Sequence, residues 1–223
     1  LNQLKRLAAF QNPEFYKKQR LRLSTALVPR VIACAEEYPE HIALPRGCRD
    51  EAEALLRANG SNLATEDKRS EGAALDVYFR GTLTPIQEEA VRALLADDTG
   101  VLVAPPGLGK TVMGAYLVAA RKRSTLILVH RKPLLEQWIA RLSAFLDIDR
   151  KEIGQIGAGK WKPNGVLDVA MVQSLVRRGE VNDVVAGYGQ VIEDEVHHAP
   201  AFSFERVIAE VKARYIVGLT ATP

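Results

Sequence analysis

From about residue 77 the chain alternates short apolar runs with amphipathic stretches. "GVLVA" (100–104), "TLILVH" (125–130), "LDVAMV" (167–172), "GQVIED" (189–194) and "YIVGLT" (215–220) are continuous enough in Val, Ile and Leu to be strands buried on both faces. Helical spacing predicts helices over 85–97, 110–121, 133–145, 173–179 and 202–212. Strands of this kind separated by helices predict an α/β fold, a parallel sheet flanked by helices. The first 76 residues differ in texture. Asn12 is a candidate N-cap with Pro13 at the first helical position, predicting a short basic helix. "RVIACAEE" and "HIALP" read as two short strands around a turn at Tyr38–Glu40, and "DEAEALLRANG" as a helix ending at Gly60. Residues 61–76 are polar and mixed in charge, as a linker would be. The expected organisation is a small α+β accessory domain with its linker over 1–76, and the α/β domain over 77–223.

Composition narrows the class. The 223 residues are 47% hydrophobic and 26% charged, enough to bury a core. No apolar run approaches the ~20 residues of a membrane helix. The first residues lack the apolar core of a secretory leader, and the missing initial Met suggests a piece of a longer protein. Cys34 and Cys48 form no disulfide or zinc pattern, so a reduced, cytoplasmic protein is expected. The net charge is only +3, yet residues 1–30 carry seven Lys/Arg against the single acid Glu14. Such an arm suits a nucleic-acid backbone; a solvated basic helix is the alternative.

Candidate chemistry begins at "VLVAPPGLGKTV". A strand, a Gly-containing loop and a helix follow one another, with Gly-Lys-Thr at the helix start. Backbone N–H groups of such a loop wrap phosphates, and the helix directs its positive end at them. Pro106, Gly107, Leu108, Gly109, Lys110 and Thr111 are therefore the expected nucleotide cradle. Lys110 would reach the β and γ phosphates of ATP, and the Thr111 hydroxyl would ligate Mg²⁺. "GQIGAGKW" (154–161) repeats the Gly-x₄-Gly-Lys spacing, but Trp161 replaces the metal-binding hydroxyl and no helix follows. It reads as a turn near a strand.

A phosphate loop needs a carboxylate at the tip of a neighbouring strand to hold hydrated Mg²⁺. "QVIED" supplies that strand, Asp194 the metal acid, and Glu195 a general base for the attacking water. Lys110 and Asp194, 84 positions apart, are expected side by side at the tips of adjacent strands. His197 and His198 are adjacent and lack HExxH spacing, which argues against a metal site. Hydrogen bonding from His197 towards a phosphate-sensing loop is the expectation.

With "LTPIQEEAV" (83–91), "LVHRKPLLEQW" (128–138), "MVQSL" (171–175), "DEVH" (194–197) and "GLTATP" (218–223) in this order, residues 77–223 resemble superfamily 2 DExH helicases and translocases. The closest likeness is to the XPB-like and type III restriction-subunit-like members. The resemblance implies a RecA-like P-loop NTPase lobe. It implies that Gln87 reads adenine and that Arg131 meets a nucleic-acid phosphate. Gln173 and Ser174 would lie along the strand, and His197, Thr220 and Thr222 would couple the γ-phosphate to the nucleic-acid face. The implied partners are DNA, duplex or single strand, a second RecA-like lobe of the same parent, and a nuclease or methyltransferase as subunit or fused domain. "RVIACAEEYPEHIALPRGC" resembles the small DNA-touching domain ahead of the motor in XPB-like and phage repair helicases; a module that only braces the motor is the alternative. The wording "PPGLGKT" also occurs in AAA+ ATPases, which leaves a AAA+ remodelling ATPase open, as is a nucleic-acid-binding module with a vestigial nucleotide site. The family's second lobe brings an arginine finger, and none follows Thr220–Pro223 here, so these residues alone are expected to bind ATP–Mg²⁺ weakly and hardly hydrolyse it.

Overall fold

The computed structural model describes residues 1–195 and 201–221, without the side chains of 201 and 202. The chain divides into two compact units, Leu1–Glu66 and Asp67–Pro223.

The first unit holds Asn2–Leu7 (α1), Ala9–Gln11 (β1), Pro13–Arg20 (α2), Val31–Ala33 (β2), Glu36–Glu37 (β3), Ile42–Ala43 (β4) and Arg49–Ala58 (α3). The Asn12 side chain accepts from the Glu14 amide at 3.0 Å and its own amide donates to the Pro29 carbonyl at 2.8 Å, so the cap also ties down the next loop. β1 pairs antiparallel with β2, and β3 with β4. The expected pair of strands is thus two separate ladders, because "RVIACAEE" breaks at Cys34–Ala35 and its first half pairs back to β1.

In the second unit Pro85–Ala96 (α4) starts with a capping box between Thr84 and Gln87. Thr99–Val103 (β5), Lys110–Arg121 (α5), Thr125–Val129 (β6) and Lys132–Leu146 (α6) follow. Then come Gly154–Gly157 (β7), Lys160–Lys162 (β8), Leu167–Met171 (β9) and the single turn Val172–Leu175 (α7). Val176–Arg177 (β10) and Glu180–Val181 (β11) form a small hairpin, before Gln190–Asp194 (β12), Ala201–Glu210 (α8) and Tyr215–Thr220 (β13). Among the described residues the main sheet has seven strands in the order β5-β13-β12-β6-β9-β7-β8. All its pairings are parallel except that of β8, which returns antiparallel to β7. This is the RecA-like lobe.

The central strands are buried throughout, as their continuous apolar runs require. Their side chains alternate between two cores: Ile127, Val129 and Ile192 on one face, with Met113 and Leu142 of the helices there; Leu126, Leu128 and Val191 on the other, with Val207 of α8.

Two expectations change. The predicted helix at 173–179 stops after one turn, because residues 176–181 pair as β10 and β11. And β13 lies between β5 and β12, so Lys110 and Asp194 do not follow adjacent strands. "GQIGAGKW" is a turn beside a strand as expected, the turn of the β7–β8 hairpin. The polar segment 67–76 packs within the second unit: Ser70 and Ala74 bridge to Ala213 and Arg123, and Leu75 is buried in its core.

Candidate nucleotide site and nucleic-acid edge

The loop after β5 leads into α5 at Gly109, whose φ of 85° only glycine adopts without strain. A Cβ on Gly109 would also stand 2.6 Å from Gln87 Nε2, whereas one on Gly107 (φ 88°) would meet nothing within 4 Å. The loop is thus braced behind Gly109 and open at Gly107. No side chain caps α5, so its first N–H groups face the loop. Gln87 is the brace: Nε2 donates to the Leu108 carbonyl at 2.8 Å, and Oε1 accepts from the Thr84 amide at 3.0 Å. The Lys110 ammonium donates to the Ala104 carbonyl at 3.0 Å and lies 3.9 Å from Glu195 Oε1. Thr111, the next residue, is half-buried.

β12 delivers the acids. Asp194 is buried and accepts a 2.7 Å hydrogen bond from the Trp138 indole N–H. Burial raises its pKa; the Trp138 bond opposes that, the Glu195 charge adds to it, and Lys110 again opposes. Glu195 takes a left-handed backbone (φ 61°), a conformation costing roughly 1–3 kcal/mol that turns its carboxylate towards Lys110. β13 ties the two halves together: the Leu219 carbonyl accepts from the Glu195 amide and the Thr220 carbonyl from the Ala104 amide, each at 2.9 Å. Thr220 is buried, while His197 and Thr222 lie outside the described residues. A loop with an open glycine, an ammonium poised beside two carboxylates and an uncapped helix start fit a nucleoside triphosphate with its divalent cation.

At the same edge of the sheet, β6 ends at Val129, just before His130, and β9 at Met171. Arg131 is exposed at the N-cap of α6, and Gln173 Nε2 donates to the His130 carbonyl at 2.9 Å. That bond joins the turn carrying Arg131 to α7, which carries Gln173 and Ser174.

The family described as "Type III restriction enzyme, res subunit" matches residues 80–223. The chain belongs to this family. It is 34% identical over 141 residues to the "DNA 3'-5' translocase XPB2" of Sulfurisphaera tokodaii, covering 63% of this chain and 31% of that protein. It is 36% identical over 159 residues to the "DNA 3'-5' helicase XPB" of Kineococcus radiotolerans, covering 68% of this chain and 28% of the relative. The chain therefore spans about a third of the length of these curated relatives. In fold it matches the UvsW helicase of bacteriophage T4, with a TM-score of 0.69 at 18% identity over 99% of this chain and 84% of that one. A superfamily 2 helicase lobe is thus the frame for the site, and family membership sets aside the AAA+ alternative.

Sequence reasoning passed over Trp138 in this helicase lobe. It is fully buried, and its ring lies where a Cβ on Gly114 of α5 would approach to 2.5 Å. The signal was available: a Trp inside an amphipathic helix whose N–H, once buried, needs an acceptor. Glu193 is an unusual charge in the apolar run of β12 just before Asp194. It is buried, with Oε1 lacking a hydrogen-bond partner among the described residues. Among these residues no group of three or more His, Cys, Asp or Glu is placed to hold a metal ion, and no helix is long and apolar enough to cross a membrane.

Proposed function

We propose that this chain is the ATP-binding lobe of a DNA-dependent ATPase that unwinds or translocates on DNA. The observation that carries the reading is the meeting of Lys110 with Glu195 and Asp194 beneath an open glycine loop. In this reading the loop amides and Lys110 hold the β and γ phosphates. Thr111 and Asp194 would hold Mg²⁺, which when bound would supply positive charge beside the phosphates. Glu195 accepts the proton of the attacking water. Gln87 fixes the loop from behind and presents its amide towards the base. Arg131, Gln173 and Ser174 line the DNA path, and β13, joined by backbone hydrogen bonds to both halves of the site, relays the phosphate state. The relatives' names support DNA as the polymer.

Rapid hydrolysis is expected to need an arginine from a second RecA-like lobe, a contribution of roughly 10³–10⁵ in rate in related NTPases. The direct test on these 223 residues is therefore binding. A fluorescent, non-hydrolysable ATP analogue should bind in a Mg²⁺-dependent way, with Lys110→Ala and Asp194→Ala each weakening it roughly tenfold or more at unchanged folding. Equal affinity in all three proteins would favour a vestigial nucleotide site on a nucleic-acid-binding module.

A further inference from the structure

The hairpin of β7 and β8 mimics a phosphate-loop spacing without its geometry, since Lys160 stands on a strand and not at a helix start. Its position suggests another use. β8 is the last strand of the sheet and only three residues long, Lys160-Trp161-Lys162. The pleat sends the two lysines to one face and the tryptophan to the other. Lys160 and Lys162 line a cleft of about 660 Å³ that also takes Lys132, Arg150 and Lys151, against the single acid Glu136. Trp161 lines a second cleft of about 810 Å³ and is 48% exposed. Ser174 shares that second cleft, where Arg177 and Arg178 are balanced by Glu180 and Asp183. The tip of the hairpin is seated on the same surface: a Cβ on Gly157 (φ 114°) would lie 2.8 Å from Met171 Cβ and 2.9 Å from Ser174 Oγ. The hairpin therefore continues the edge formed by Arg131, Gln173 and Ser174.

We propose that this hairpin is an additional contact for single-stranded DNA, with Trp161 stacking on an unpaired base and the Lys160/Lys162 cleft holding the neighbouring phosphates. The inference rests on the DNA-dependent reading above. Three features carry it. The phosphate-attracting charge is confined to the lysine face, where basic residues outnumber acids five to one. An indole half in solvent on an edge strand, beside Ile156 of β7, offers a flat apolar platform that a free base can cover. Within a duplex the base faces are already stacked on one another, so the platform selects strands whose bases are free.

The test uses the 223-residue chain with a labelled oligodeoxythymidine and a blunt duplex of equal length, read by fluorescence anisotropy at low and moderate salt. Trp161→Ala should weaken single-strand binding roughly tenfold and leave duplex binding nearly unchanged, as expected for one lost base stack. Trp161→Phe should retain most of the affinity. Changing Lys160 and Lys162 together to Ala should weaken both ligands and flatten the salt dependence. Unchanged single-strand affinity in Trp161→Ala overturns the inference, as does equal weakening on both ligands. If Arg131→Ala still weakens binding in that case, the DNA-dependent reading stands without the hairpin. A wild-type chain that binds neither oligonucleotide overturns both.

Discussion

Glu193 shows what one side chain costs at the tip of a buried strand. Burial, and after it the charge of Asp194, push its pKa from the ordinary 4.5 up to about 8. Between these values the folded chain keeps a proton that the unfolded chain has released, so stability falls as pH rises through the window and levels off above it. Without nucleotide or metal, urea unfolding should show a wild-type chain about 2–4 kcal/mol less stable at pH 8 than at pH 5. Glu193→Gln should remove most of that difference. Parallel pH profiles for the two proteins would mean that the carboxylate is already charged in the fold. In the sequence this position is one acid inside "QVIED"; its burial depends on β13 and β6 lying to either side of β12.

Helix α6 spans the two functions assigned to this lobe. Arg131 stands at its N-terminus on the proposed nucleic-acid edge, and Trp138, two turns or about 10 Å further on, donates to Asp194. Gly114 makes the contact possible by leaving room on α5 for the ring. Arg131 and Asp194, the residues proposed for DNA and for metal, are thus linked through one rigid helix and one side chain. Trp138→Phe keeps most of the packing and removes the N–H. It should cost about 1–3 kcal/mol in chemical denaturation, the range for a buried hydrogen bond to a charged group. It should also weaken Mn²⁺ binding several-fold, read by paramagnetic resonance, because Asp194 loses an interaction that favours its charged form. Unchanged stability and Mn²⁺ affinity would make Trp138 a packing residue only. The helix itself was legible from its period, and its role was not, since nothing in residues 132–146 says which strand tip the indole will meet.

At the scale of the molecule the question is where the helicase lobe begins. Residues 67–76 look like a linker by composition, yet their polar side chains build contacts along the lower end of the sheet. Arg69 donates to Asp98 at 2.8 Å, Arg214 bonds Asp98 at 3.3 Å and Glu71, and the Ala73 amide donates to Ser124 Oγ at 3.1 Å. Gly72 and Gly189 pass so closely that a Cβ on either would fall about 2 Å from the other segment's backbone. We propose that the lobe starts at residue 67. A fragment of residues 67–223 should unfold cooperatively. One cut at residue 77 should be less stable by about 2–4 kcal/mol, through the lost Leu75 burial and these polar contacts. Equal unfolding midpoints in urea would return the boundary to residue 77.

The sequence alone determined what is local or periodic. Parallel strands needed apolar runs, the Asn12 cap needed its side chain, and the phosphate loop needed its glycines ahead of Lys110. Each of these requirements lies within a few residues of the group it serves. Strand order, the placing of β13 between β5 and β12, the Trp138 bond to Asp194 and the Lys-Trp-Lys edge strand were decided by tertiary structure. All join residues far apart along the chain, and their partners are fixed only when the sheet assembles and the two cores close over it.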